Sequence, residues 1–122
     1  MKLTGKIVHG AGRGKGLGFP TINLEGAFSD LEMGVFAAWV SLDGGPRLAG
    51  AMHHGVNRTF EEGVAHVEIF LLDFSGEVYG QSAEVDVVKK IRDTQKFSSA
   101  EELVAQIQRD VLEVRSVLKL DS

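Results

Sequence analysis

A chain of 122 residues with 43% hydrophobic residues is long enough for one domain with an apolar core and too short for two, so we predict a single domain over residues 1–122. It has no cysteine, which excludes disulfides and thiolate metal sites, and no stretch typical of a membrane span or a signal peptide, so we expect a cytoplasmic protein without a membrane partner. The net charge of −4 argues against general nucleic-acid binding, which needs a basic surface.

Short apolar segments separated by turn residues account for most of the chain. They predict strands over residues 3–8, 34–42, 47–52, 65–74 and 77–91. The stretches 23–31 and 53–63 are polar, and we expect irregular connections there. Because no helix separates these strands, they indicate an antiparallel meander or a small barrel and not βαβ units.

The end of the chain has a helical period. Apolar residues recur at intervals of three and four at Leu103, Ile107, Val111, Val114 and Leu118. The run Ser98-Ser99-Ala100-Glu101 supplies an N-cap and a capping box. We therefore predict one amphipathic helix over about residues 98–119, packed by one stripe on the barrel of about residues 1–92.

The segment GAGRGKGLGFPTIN, residues 10–23, is the most unusual part of the sequence. Its alternating glycines disfavour a helix or strand, but they let backbone N–H groups turn toward a common centre and contact a polyphosphate. Arg13 and Lys15 add positive charge. We predict phosphate contacts from Gly10, Gly12, Arg13, Gly14, Lys15, Gly16, Gly18, Pro20 and Thr21. On glycine content alone, a flexible surface loop is the alternative.

Two common phosphate motifs do not fit this segment. A Walker A loop requires a glycine where this chain has His9, and a Ser or Thr where Gly16 follows Lys15. A dinucleotide-binding fingerprint requires a helix after its glycines, whereas Pro20-Thr21-Ile22-Asn23 is a poor helix start.

Thr21 and Asn23 leave the glycine segment on an extended chain that Pro20 fixes. In a strand, their side chains share one face. A hydroxyl and an amide oxygen are hard ligands that suit Mg²⁺, which also binds phosphate. Alternatively, both residues cap a turn after the proline.

Glu68 is an anomaly in the most apolar predicted strand. Alternation places Val67, Ile69 and Leu71 on one face and Glu68 on the other, with Phe70. Apolar neighbours desolvate the carboxylate and make it a stronger proton acceptor than an exposed glutamate. The alternative is a strand-end or barrel-rim glutamate paired with a Lys or Arg.

Several motifs follow one another through nearly the whole chain. They are Gly5-x-Ile7-x-x-Gly10, Gly14-x-x-Leu17-Gly18-Phe19-Pro20-Thr21-Ile22-Asn23-Leu24, Gly34-Val35-Phe36-Ala37, Gly55-x-x-x-Thr59-Phe60, Val67-Glu68-x-x-Leu71-Leu72-Asp73-Phe74-x-Gly76-x-x-Tyr79-Gly80, Ile91-Arg92 and Lys96-Phe97-x-Ser99-x-Glu101-Glu102-Leu103. In this order they resemble the ATP-dependent riboflavin kinase family of bacteria and eukaryotes. With this resemblance, the fold class we predict is mainly β: a small antiparallel barrel, Greek-key or split, with one carboxy-terminal amphipathic helix.

The resemblance implies transfer of the γ-phosphate of Mg-ATP to the ribityl 5′-hydroxyl of riboflavin, giving FMN and ADP. It places the base on Glu68 and the ligands of Mg²⁺, or another divalent cation, on Thr21 and Asn23. Flavin contacts are expected from Tyr79, Arg92 and Phe97, although a lone aromatic residue is more often part of a core. We expect a monomer that binds riboflavin or FMN and ATP or ADP, and no nucleic acid.

The chain departs from the family pattern in one region. Where the family usually has Asn-Ile-Gly and Arg-Pro-Thr-Phe, it has His53-His54-Gly55 and Asn57-Arg58-Thr59-Phe60. This motivates an alternative, a non-catalytic flavin- or nucleotide-binding module, and a β-barrel interaction domain is a further one. Many bacterial relatives carry an amino-terminal adenylyltransferase domain that makes FAD. The sequence starts at the kinase motif, so we expect the product to be FMN unless the chain is a fragment of such an enzyme.

Overall fold

The structure, a computed structural model, describes residues 1–8, 21–26, 28, 30–56, 65–73 and 81–119. In this part of the chain, six strands and one helix follow in order: β1 (Lys2–Val8), β2 (Thr21–Leu24), β3 (Gly34–Leu42), β4 (Arg47–Val56), β5 (Ala65–Leu71), β6 (Ser82–Arg92) and α1 (Ala100–Val117). Within these ranges, no helix is both long and apolar enough to span a membrane.

The strands form a closed barrel in the order β1-β2-β5-β4-β3-β6. Every neighbouring pair is antiparallel. Strands β3, β4 and β5 pair consecutively, and β6 returns beside β3, which is the strand order of a Greek key. The fold predicted from the sequence is confirmed.

Side chains fill the inside of the barrel. Ile22 on β2 is opposite Ile69 on β5, Ile69 is opposite Met52 on β4, and Met52 is opposite Phe36 on β3. All four belong to one buried apolar cluster. The alternation predicted around Glu68 is confirmed, because Val67, Ile69 and Leu71 join this cluster.

Helix α1 covers part of the outer face of the barrel. The alanines of β3 and β4 leave room for the close approach of the helix, and a second apolar cluster forms there from Ala37, Ala49, Ala51, Leu72, Val114 and Leu118. The predicted stripe packs inward: Ile107, Val114 and Leu118 are buried, and Leu103 and Val111 are half-buried. The sequence did not indicate that Asp110 is also buried.

The structure corrects two predicted connections. Residues 53–63 are not irregular from their start, because β4 continues to Val56 and pairs with β5 throughout. The polar composition of this stretch is misleading, since His54 lies inside the barrel and its Nδ1–H donates to the Glu32 carbonyl oxygen at 3.0 Å. Asn23 likewise belongs to strand β2 and not to a loop.

The remaining boundaries move by a few residues. Strand β5 ends at Leu71, and Leu72 and Asp73 form a turn in which Asp73 has a φ of 54°. The predicted strand 77–91 is observed as β6 from Ser82, and residues 77–80 lie outside the described part.

The amino terminus of α1 has the predicted cap. Ser99 Oγ accepts a hydrogen bond from the Glu102 backbone N–H at 3.2 Å. The Glu102 carboxylate in turn accepts from the Ser98 backbone N–H at 3.1 Å and from the Ser98 hydroxyl at 2.8 Å. These bonds satisfy N–H groups that lack a partner within the helix.

We predict that Ser99→Ala lowers the free energy of unfolding by about 1 kcal/mol, because the cap is lost. Ser99→Asp retains an acceptor at the same position and should restore most of the difference. Urea denaturation of the three proteins measures this, and equal midpoints for Ser99→Ala and the wild type would contradict it.

Candidate active site

The pairing of β2 with β5 brings three candidate site residues together. Asn23 lies directly opposite Glu68, and Thr21 lies opposite Phe70. Residues opposite each other in an antiparallel pair share a face, with Cβ atoms about 4.5–5.5 Å apart. Because Ile22 and Ile69 face the interior, Thr21, Asn23 and Glu68 all face outward from the barrel.

Two of these outward-facing polar residues are nevertheless buried. Glu68 is 3% exposed and Asn23 is 4% exposed. The amide oxygen Oδ1 of Asn23 has no hydrogen-bond partner among the described residues. A buried polar atom without a partner is costly and rare in folded proteins, so it marks a position where a ligand atom or ion is expected.

The donor set consists of oxygen atoms and fits a hard divalent cation such as Mg²⁺. Thr21 offers a hydroxyl oxygen and Asn23 an amide oxygen, next to the Glu68 carboxylate, and these are the hard donors that Mg²⁺ prefers. Over the described ranges, no group of three or more His, Cys, Asp or Glu residues is placed to hold a metal. Mg²⁺ commonly takes few protein ligands and completes its shell with water and phosphate oxygens.

The strand residues on either side of residues 9–20 lie beside this cluster. Val8, the last residue of β1, pairs with Asn23, and Thr21 begins β2. A chain that connects these two points starts and finishes next to the candidate metal ligands. The predicted phosphate contacts themselves lie outside the described residues: Gly10, Gly12, Arg13, Gly14, Lys15, Gly16, Gly18 and Pro20, together with the predicted flavin contact Tyr79.

His53 is a neighbour of Glu68 that the sequence reasoning missed. It lies opposite Glu68 on β4, on the outer face, whereas His54 points into the barrel. The two histidines therefore face opposite ways, as a strand requires. The signal that could have found it is the two-residue alternation of the strand, which continues through residues 53–56. Polar residues in that stretch made it look like a loop.

The connection between β6 and α1, residues 93–99, contacts the outer face of β4 at Gly55. A Cβ atom on Gly55 would lie 3.0 Å from the methyl carbon of Thr94 and 3.0 Å from Cε1 of His53, so both side chains contact the backbone at Gly55. Phe97, a predicted flavin contact, is half-buried near the end of the connection. The connection thus borders the face that carries His53 and Glu68.

Ion pairs hold the start of this connection. Lys90 contacts Asp93 at 2.6 Å and Glu32 at 2.9 Å. The hydrogen bond to Asp93 raises the pKa of Lys90, and the hydrogen bond to Glu32 raises it further. The hydrogen bond between Lys90 and Asp93 also lowers the pKa of Asp93. Asp93 and Glu32 are exposed and Lys90 is half-buried, so the pairs contribute little stability, but they favour one path for the chain.

Arg92, a predicted flavin contact, makes hydrogen bonds to helix α1 and to the residue that follows it. Its Nε and Nη2 atoms donate to the two carboxylate oxygens of Asp110 on α1, each at 2.8 Å. Its Nη1 atom donates to the Asp93 carbonyl oxygen at 2.9 Å. All three guanidinium nitrogens therefore have partners within the protein, and a direct contact of Arg92 with flavin remains only a prediction.

Comparison with known proteins identifies the family. The model of the family described as riboflavin kinase, or flavokinase, matches residues 1–118. The chain belongs to the riboflavin kinase family. It is 38% identical over 120 residues to the bifunctional riboflavin kinase/FMN adenylyltransferase of Escherichia coli strain K12, with 97% of this chain and 38% of that protein covered.

Two further relatives define the extent of the similarity. The RNA-binding riboflavin kinase RibR of Bacillus subtilis strain 168 is 34% identical over 110 residues, which cover 89% of this chain and 47% of that protein. The solved riboflavin kinase from Trypanosoma brucei superposes with a TM-score of 0.69 at 27% identity, over 98% of this chain and 80% of that one. The chain spans less than half the length of both bacterial relatives.

The burial of Asn23 predicts a stability test that does not depend on catalysis. Asn23→Leu removes the buried amide oxygen and should raise the free energy of unfolding of the metal-free protein by about 1 kcal/mol. Asn23→Asp, which places a second carboxylate opposite Glu68, should lower it. Urea denaturation without nucleotide or metal measures both, and an Asn23→Leu protein less stable than the wild type would contradict the interpretation.

Proposed function

We propose that the chain transfers the γ-phosphate of ATP to the ribityl 5′-hydroxyl of riboflavin, giving FMN and ADP. The observation that carries this proposal is the pairing of Asn23 with Glu68 across β2 and β5, on a buried part of the outer barrel face. A metal ligand and a proton acceptor side by side are what phosphoryl transfer to an alcohol requires. Residues 1–122 would act as one such kinase domain, and as a monomer.

The phosphate donor belongs on the β2 side of Glu68. Thr21 and Asn23 would hold the divalent cation, and the glycine segment between β1 and β2 would surround the phosphates with backbone N–H groups. When bound, Mg²⁺ neutralises charge on the β- and γ-phosphate oxygens. The partnerless amide oxygen of Asn23 supports this assignment, because an ion would satisfy it.

The acceptor alcohol, the 5′-hydroxyl of riboflavin, would bind on the other side of Glu68, toward β4. The acceptor and leaving oxygens lie roughly in line through the phosphorus, so the riboflavin hydroxyl approaches from the side opposite ADP. The strand order β2-β5-β4 puts Glu68 between the two sides. Glu68 accepts the proton of the 5′-hydroxyl, the new bond forms between that oxygen and the γ-phosphorus, and the bond from the γ-phosphorus to the bridging oxygen of ADP breaks.

Glu68→Gln tests the proposed base. It should lower the rate of FMN formation by about 10²–10⁴-fold and leave ATP binding unchanged, because the amide keeps the shape of the carboxylate but cannot accept the proton. Glu84→Gln, an exposed position on β6, is the matched control and should behave as the wild type. FMN is measured by chromatography after incubation with riboflavin, ATP and Mg²⁺.

A Glu68→Gln protein with the wild-type rate would remove Glu68 from the mechanism. A wild-type protein that binds riboflavin but forms no FMN would instead favour the non-catalytic flavin-binding module. That alternative is motivated by His53, which stands opposite Glu68 where the family usually has Asn.

The metal ligands are tested by the metal dependence of the rate. Thr21→Ala and Asn23→Ala should each raise the Mg²⁺ concentration needed for half-maximal FMN formation by roughly tenfold, since each removes one oxygen donor. Thr4→Ala, an exposed threonine on β1, should not change it. An unchanged Mg²⁺ requirement in both site variants would show that the cation binds elsewhere.

A further inference from the structure

The strongest polar contact between the barrel and α1 is the pair of Arg92 and Asp110. It is bidentate, with both donor–acceptor distances at 2.8 Å, and Asp110 is only 4% exposed. Gln106 adds a hydrogen bond from Nε2 to Asp110 Oδ1 at 2.9 Å. Fork-to-carboxylate pairs of this kind are geometrically specific, so this contact fixes α1 to the end of β6 in one orientation.

The same arginine fixes the connection that follows it. Arg92 is the last residue of β6, and its Nη1 donates to the carbonyl oxygen of Asp93 at 2.9 Å. One residue further, Thr94 contacts the backbone at Gly55, where the His53 ring also packs. The Arg92 guanidinium thus holds residue 93, and contact with β4 holds residue 94. Together they determine the path of residues 93–97 over β4.

This path borders the side of Glu68 on which the proposed function places the alcohol. His53 lies opposite Glu68 on β4, with Gly55 two residues further along that strand, and Thr21 and Asn23 lie on the opposite side of Glu68. A displacement of residues 93–97 would therefore change the acceptor side of the site and leave the phosphate side in place.

We propose that Arg92 and Asp110 are positioning residues for the acceptor alcohol. They hold residues 93–97 as the wall against which riboflavin is bound, and they do not contact the flavin themselves. Three hydrogen bonds of the guanidinium carry this assignment, because they orient Nε and Nη2 toward Asp110 and Nη1 toward the Asp93 carbonyl oxygen. The inference rests on the proposed kinase function. It adds to that function a determinant of riboflavin affinity that lies outside the set of Thr21, Asn23 and Glu68.

The test compares Asp110→Asn and Arg92→Lys with a matched control. Asp73→Asn also removes a carboxylate that pairs with an arginine between the barrel and α1, here Arg115 at 2.7 Å, but it lies in the turn after β5. For each protein, the KM for riboflavin, the KM for ATP, kcat and Tm are measured. The dissociation constant of riboflavin without ATP, from quenching of flavin fluorescence, gives a readout independent of turnover.

Asp110→Asn should raise the KM and the dissociation constant of riboflavin by roughly tenfold, while the KM for ATP and kcat stay at wild-type values, because only the acceptor wall is misplaced. Arg92→Lys keeps the positive charge but loses the bidentate hydrogen bonds. It should therefore raise the KM and the dissociation constant of riboflavin by less than Asp110→Asn does, again with the KM for ATP and kcat unchanged. Asp73→Asn should leave all three kinetic constants unchanged. If Asp110→Asn does not fold, Arg92→Lys carries the test alone.

Four results would overturn the inference. A lower Tm with wild-type riboflavin KM would show that the pair is only structural. Equal rises in the KM for riboflavin and for ATP would show that it affects the whole site. Wild-type riboflavin affinity in both variants of an active enzyme would refute the positioning role while leaving the kinase function intact, whereas a wild-type protein that neither binds nor phosphorylates riboflavin would overturn both.

Discussion

The register between β2 and β5 is the constraint on which the site depends. In this register, Ile22 meets Ile69 inside the barrel, and Asn23 meets Glu68 outside it. A slip of β2 by one residue would reverse its two faces, with the Asn23 amide placed in the core, no longer opposite Glu68, and Ile22 outside. The apolar pattern that closes the barrel therefore also places Asn23, the proposed metal ligand, beside Glu68, the proposed base.

The packed interior explains why the chemistry lies on the outer face. Phe36, Met52 and Ile69 fill the barrel, and a six-stranded barrel leaves no room for a nucleotide or a flavin. Under the proposed function, ATP and riboflavin therefore bind outside the barrel, on the face formed by β2, β5 and β4. In the proposed arrangement, helix α1 and its connection to β6 also shape the acceptor side of the site, besides covering apolar surface.

The sequence predicted much of this arrangement because the signals are local. Alternation around Glu68 and the apolar spacing of α1 identify a strand and a helix without any knowledge of their neighbours. What it missed depends on partners distant in the chain: the position of His53 relative to Glu68 requires the β4–β5 register, and Asp110 is buried only because Arg92 reaches it from β6. The resemblance named Thr21, Asn23 and Glu68, but their adjacency required the fold.

The central claim is that the cation held by Thr21 and Asn23 lies next to the Glu68 carboxylate. Mn²⁺ in place of Mg²⁺, bound with ADP, broadens NMR signals of nuclei close to it, so the ¹³C signal of the Glu68 side-chain carboxylate gives the most direct measurement. The signal is assigned by its loss in Glu68→Gln, with the exposed Glu84 as the distant reference. The account predicts that the Glu68 signal disappears on addition of Mn²⁺ and ADP while that of Glu84 stays sharp. A sharp Glu68 signal in the fully bound complex would contradict it.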